Sequence, residues 1–223
     1  MAASSFAPIL DAARTRLGAA ALEARLTKPR SAAELKATTD DRYLSQLELR
    51  IFRAGLKHSL VDAKWPAFEE VFERFEPRRV RAMSDEALEA LLGDRRLIRQ
   101  WGKLKSVRDN AAAMIGVVEE HGSFGAWLAD WPGTDIVGLW EALAKRFSQM
   151  GGNSGPSFLR MVGKDTFVLT HAVTAALKRW GAADTPPKNR KDRAAVQSQF
   201  NAWAAETGRP LCQLSLILAS VED

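Results

Sequence analysis

Apolar residues return every three to four positions along almost the whole chain, while runs that alternate apolar with polar residues are scarce. Such a chain can bury one stripe per helix but offers nothing from which to build a sheet, so an all-α fold is expected. Phe68, Val71, Phe72 and Phe75 make one stripe, and Leu88, Leu91 and Leu92 make a shorter one behind a cap at Ser84. Trp101, Leu104, Ala111, Ile115 and Val118 carry the period through a longer helix that should stop at His121-Gly122. Ser123 can then cap the next helix, with Phe124, Trp127 and Leu128 on its apolar side. Val196, Phe200 and Trp203 mark a later helix, and Leu211, Leu214 and Leu218 mark another.

At 223 residues the chain can form one large domain or two closely joined lobes. The Ala-rich first forty residues end in the polar stretch TKPRSAAELKATTDD, with Pro29 as a break, which suggests a helical extension over 1–40 and a body over 41–223. Two prolines and four basic residues in DTPPKNRKDR mark an exposed loop. No run reaches the roughly 18 apolar residues of a membrane span, and Asp11, Arg14 and Arg16 interrupt the N-terminal stretch. A lone cysteine, Cys212, excludes an internal disulfide, and three histidines are too few for a Cys/His zinc cluster; both fit a reducing cytoplasm. The net charge of +5 biases the chain towards anionic partners without naming one.

The stretch FSQMGGNSGPSFLRMV, from Phe147 to Val162, reads as helix end, tight glycine turn, helix. A turn of this kind exposes consecutive backbone N–H groups at a helix N-terminus, where the dipole favours an anion such as a DNA phosphate. The same glycines also serve a plain turn between packed helices.

This stretch resembles the helix-hairpin-helix of the DNA glycosylase superfamily, with Gly151 as the second hairpin glycine and Ser154 as its hydroxyl. Downstream, Val168-Leu169-Thr170-His171-Ala172 is similar to the superfamily's Val-Asp-Thr-His-Val, with Leu169 where the aspartate stands. From about Tyr43 to Phe158 the chain more closely resembles the DNA-3-methyladenine glycosylase I family. The segments RAGLKHSLVDAKWPAFEEVFERFEPRRVRAM, LIRQWGKLKSVRDNA, EEHGSFGAWL and FSQMGG carry that resemblance, in the family's order and near its spacing.

The resemblance implies a two-lobed helix-hairpin-helix fold that binds double-stranded DNA containing damaged bases and swings the damaged base into a pocket. It nominates His58, Trp65, Trp101 and Lys57 for the pocket, with Tyr43, Glu48 and Arg50 as weaker additions. Each aromatic can equally belong to the core. Gln149, Gly151, Gly152, Asn153 and Ser154 would meet the DNA backbone, with Lys103 and Lys105 as phosphate contacts and Lys188, Arg190, Lys191 and Arg193 as further basic residues.

Several departures shape the expected chemistry. The family's base-reading glutamate is replaced by Arg50, and Glu48 two residues away points to a different side of a helix. The family's zinc ligands are missing apart from His171, so neither metal nor cofactor is expected. Asn153 stands where bifunctional members carry a Schiff-base lysine, and Lys164 lies at the other end of that helix, which argues against a lyase. Without the aspartate, roughly 10²-fold of electrostatic help is lost, and a base that already carries positive charge needs it least. Asp165 is the nearest alternative acid. The expectation is a monomeric, monofunctional glycosylase that removes an alkylated purine such as 3-methyladenine. The alternatives are a damaged-DNA binder without catalysis and an α-helical interaction module.

Overall fold

The computed structural model describes residues 5–183 and 185–222; the first four residues of the N-terminal stretch, and Asp184 at the head of DTPPKNRKDR, lie outside the described residues. In chain order the helices are α1 (Ala7–Leu17), α2 (Ala19–Arg25), α3 (Ala32–Ala37), α4 (Asp40–Arg53), α5 (His58–Val71), α6 (Pro77–Arg81) and α7 (Asp85–Ala90). They continue as α8 (Trp101–His121), α9 (Phe124–Asp130), α10 (Ile136–Arg146), α11 (Ser154–Val162), α12 (His171–Arg179), α13 (Arg190–Thr207) and α14 (Leu211–Ser220). The described residues contain no strand, and the fold is all-α. None of these helices is long and apolar enough to cross a membrane.

The helices group into two compact units. The first comprises Met1–Arg30, Pro132–Leu139 and Gly163–Asp223, and the second comprises Ser31–Trp131 and Trp140–Val162. In the first unit α1 and α12 pack on α14, and Phe6, Phe167, Phe200 and Trp203 form an aromatic core in which Phe167 and Phe200 stack at 4.2 Å. The Cys212 thiol is buried in this unit against the Thr27 carbonyl at 3.6 Å. Here α13 begins at Arg190, inside the stretch expected to be loop. Asn189 accepts from the Asp192 N–H while the Asp192 side chain takes the Asn189 N–H, and this reciprocal cap starts the helix early.

In the second unit α4 is the central helix, buried along Tyr43, Leu44, Leu47, Ile51 and Phe52 and packed by α5, α8 and α11. Phe68, Phe72 and Phe75 are buried as their period implies, with Val71 half-buried beside them, but the α-helix ends at Val71. Glu73, Arg74 and Phe75 turn left-handed, with φ of 47°, 57° and 59°. The break lets Glu76 cap α6, where Pro77 takes the first-turn position in which a missing N–H costs nothing. Ser84 and Ser123 cap α7 and α9, and α8 stops at Gly122, φ 83°. Helices α3 and α9 meet so closely that a Cβ on Gly125 would stand 2.3 Å from the Leu35 carbonyl oxygen.

Candidate DNA interface

Between α10 and α11 the chain makes the expected tight turn. Gln149 at φ 61° and Gly152 at φ 58° are both left-handed, and Gly151, Gly152 and Asn153 are exposed. Gly152 takes this conformation without a side-chain clash, whereas at Gln149 it costs about 1 kcal/mol that something must offset. The offset is visible: Gln149 Nε2 donates to the Gly102 carbonyl at 2.8 Å, fastening the turn to the first residues of α8. Ser154 opens α11 and is buried, while the glycines and Asn153 before it are exposed.

A second fastening comes from the middle of α8. The Asn110 side chain mimics a backbone strand towards Ser148: Oδ1 accepts the Ser148 N–H at 2.6 Å and Nδ2 donates to its carbonyl at 3.3 Å. The same Nδ2 donates to Glu48 Oε1 at 2.7 Å. Glu48 is wholly buried, and its Oε2 has no hydrogen-bond partner. Burial pushes its pKa up to about 8, against the Asn110 bond and with a smaller push from Asp109, so it is a neutral acid at neutral pH. Sequence reasoning missed Asn110, because a single asparagine on a helix carries no signal until its partners are known.

The expected pocket residues divide. Trp101 is 38% exposed at the start of α8, next to the Gly102 anchor of the turn. Lys57 and His58 are exposed where α5 begins. Trp65 belongs instead to the core, stacked on Phe68 at 4.9 Å and on Phe75 at 5.4 Å, with its indole N–H donating to Ser45. Tyr43 is also internal, with its ring on Phe124 and its hydroxyl on the Leu35 carbonyl at 2.7 Å. In both, the aromatic face is used by neighbouring rings and the polar tip by an internal acceptor, which leaves neither for a ligand. Two surface clefts of this unit, about 250 and 560 Å³, lie elsewhere; Asp40, Glu76 and Ile115 line one, and Ser84, Asp85 and Arg108 the other.

Lys103 departs most from its expected role. Its ammonium is buried and donates to the Phe52 and Ala54 carbonyls at 3.3 and 2.7 Å, closing the C-terminal end of α4 rather than meeting a phosphate. Lys105 is exposed and pairs along the helix with Asp109 at 2.9 Å. Arg50 is half-buried in the last turn of α4.

Leu169, which the resemblance sets at the superfamily's aspartate, lies in the first unit. Leu169 is half-buried in the extended run before α12, and Thr170 caps that helix by accepting the Val173 N–H. Asp165 accepts the Leu211 and Cys212 N–H groups at 2.9 and 2.8 Å, so both oxygens serve the start of α14. No group of three or more histidine, cysteine or acidic residues that could hold a metal is gathered among the described residues.

Residues 35–150 match the methyladenine glycosylase family, a stretch that begins in α3 and ends within the hairpin turn. Among solved structures, a 3-methyladenine DNA glycosylase I is 24% identical over 65% of this chain and 86% of its own, with a TM-score of 0.50. The 3-methyladenine DNA glycosylase I of Staphylococcus aureus is 22% identical over 56% of this chain and 77% of its own, with a TM-score of 0.51. The 8-oxoguanine glycosylase/lyase of Methanocaldococcus jannaschii, solved with a 15mer DNA containing 8-oxoguanine, is 15% identical over 95% and 93% of the two chains, with a TM-score of 0.52. These likenesses give the helix-hairpin-helix glycosylase fold, and with more than half of its residues inside the family match, the chain belongs to the methyladenine glycosylase family.

Proposed function

We propose that this protein is a monofunctional N-glycosylase of base excision repair, which binds duplex DNA as a monomer and removes an alkylated purine such as 3-methyladenine by base flipping. The observation that carries this reading, beside family membership, is the doubly fastened turn: Asn110 holds Ser148 and Gln149 holds Gly102, while Gly151 to Asn153 and Trp101 stay exposed. The exposed residues Gly151 to Asn153 lead into the N-terminus of α11, a position that suits a phosphate. Trp101 and His58 are the planar groups available to stack on an extruded base.

The acid–base inventory narrows the mechanism. Leu169 has no charge, Asp165 is committed to α14, and Glu48 carries its proton at neutral pH. None supplies an ionised carboxylate to steady an oxocarbenium-like sugar. The burden falls on a leaving group that is already cationic, bound in a site that excludes water. Asn153 has no amine with which to attack the sugar, which supports hydrolysis without strand cleavage. The same neutral Glu48 and Leu169 favour a second reading, a lesion binder that leaves the glycosidic bond intact.

Release of free base from methylated duplex DNA, run beside a duplex-binding titration, separates the two. Wild-type protein should release 3-methyladenine and leave no abasic strand breaks, with His58→Ala slowing release at least tenfold while duplex affinity changes less than threefold. Binding with no released base leaves only the second reading. Absence of binding at low salt rejects both.

A further inference from the structure

Among the described residues, Arg50 is a cation without an anion. Its Nε is closed to solvent and has no acceptor, and the charged groups that act on it are also cationic. Burial and then Arg53 hold its pKa below the ordinary arginine value, and Lys103 is held down by burial and then by Arg50. Arg53 is satisfied by Asp62 at 2.7 Å, but among the described residues no carboxylate pairs with Arg50 or Lys103. The end of α4 does not need Arg50 either. The Ile51 and Arg53 carbonyls accept backbone N–H groups at 3.1 and 3.2 Å, and Lys103 takes those of Phe52 and Ala54. A half-buried, unpaired guanidinium destabilises a fold, and an apolar side chain of similar length would avoid the cost.

Its surroundings point to the missing partner. Lys103 stands in the first turn of α8, one residue beyond the Gly102 carbonyl that anchors the hairpin turn. Building on the DNA reading, we infer that Arg50 is an acceptor-binding site for DNA, with its terminal nitrogens receiving an oxygen of the nucleic acid. The two sources of that chemistry are a backbone phosphate and the acceptor edge of an extruded base. The guanidinium fork suits either one.

The test uses the full chain and two variants, Arg50→Met and Arg50→Lys, in three measurements. First, Arg50→Met should melt at or above the wild-type temperature; a fall of more than about 5 °C makes the arginine structural and overturns the inference. Second, inorganic phosphate should raise the melting temperature of wild type and of Arg50→Lys more than that of Arg50→Met. This measurement stands even if the protein binds no DNA, a result that would reject the function but leave the anion site intact. Third, a phosphate partner predicts about fivefold weaker binding of Arg50→Met to undamaged duplex, a salt slope smaller by about one, and near-normal behaviour of Arg50→Lys. A base partner predicts unchanged binding to undamaged duplex and about tenfold slower base release in both variants. Variants matching wild type in both phosphate response and DNA measurements overturn the inference.

Discussion

The segments on either side of α11 follow opposite plans. Before the helix, residues 148–153 lie mostly open to solvent, and the side chains of Asn110 and Gln149 hold that backbone in place. After it, residues 164–168 are largely interior: Phe167 stacks on Phe200, the Val168 N–H donates to Ser215, and Asp165 caps α14. The first plan turns Gly151, Gly152 and Asn153 outwards to solvent, whereas the second uses its polar groups within its own unit. Asp165, the acid nearest Leu169 in sequence, is therefore already committed to α14, and the segment around it is built as packing.

The comparison can be broken at its strongest point by Asn110→Ala. This change leaves Glu48 and both backbone groups of Ser148 without their partner, which should cost about 3 kcal/mol of stability and weaken duplex binding at least tenfold. Denaturant unfolding and a binding titration read the two effects; normal DNA affinity would mean that the turn holds itself.

Glu48→Gln should act in the other direction. Because the folded pKa of Glu48 is raised from 4.5 to about 8, its contribution to stability is full below 4.5 and lost as pH rises to about 8. A permanently neutral isostere keeps the acceptor for Asn110, so unfolding at pH 8 should show a gain of a few kcal/mol and a flatter pH profile between those limits. Equal profiles for the two proteins would place the titration elsewhere.

Smaller effects sharpen the other side. Asp165→Ala removes a cap and should cost about 1.5 kcal/mol while leaving base release per folded molecule unchanged. Complete loss of release in a folded Asp165→Ala protein would make this carboxylate the sought acid. Lys103→Met should lower stability by about 1 kcal/mol and leave the salt slope of DNA binding as it was, because the ammonium is turned onto α4 carbonyls.

Helix positions were legible in the sequence because burial obeys the 3.6-residue period, and caps at Ser84 and Ser123 use local chemistry that a reader can see. The hairpin was legible for the same reason, as its glycines and the following apolar stripe are contiguous. What stayed hidden depends on partners distant in sequence. Trp65 and Trp101 look alike as letters, yet Phe68, Phe75 and Ser45 claim the first, while the second remains 38% exposed. Lys103 reads as a surface charge until the end of α4 is placed 51 residues away from it in sequence. Glu48 and Asn110, 62 residues apart, show the same limit: only folding reveals that an acid and an amide form one device.

Cys212, buried beside Thr27, gives the molecule a built-in clock. As the chain's lone thiol, it is shielded in the native state and becomes reactive when its part of the first unit opens. The rate at which a maleimide labels the native protein therefore reports that opening, without an introduced probe. A duplex that slows labelling as well as occupying the hairpin would reveal energetic coupling between DNA binding and a unit that does not contain the turn.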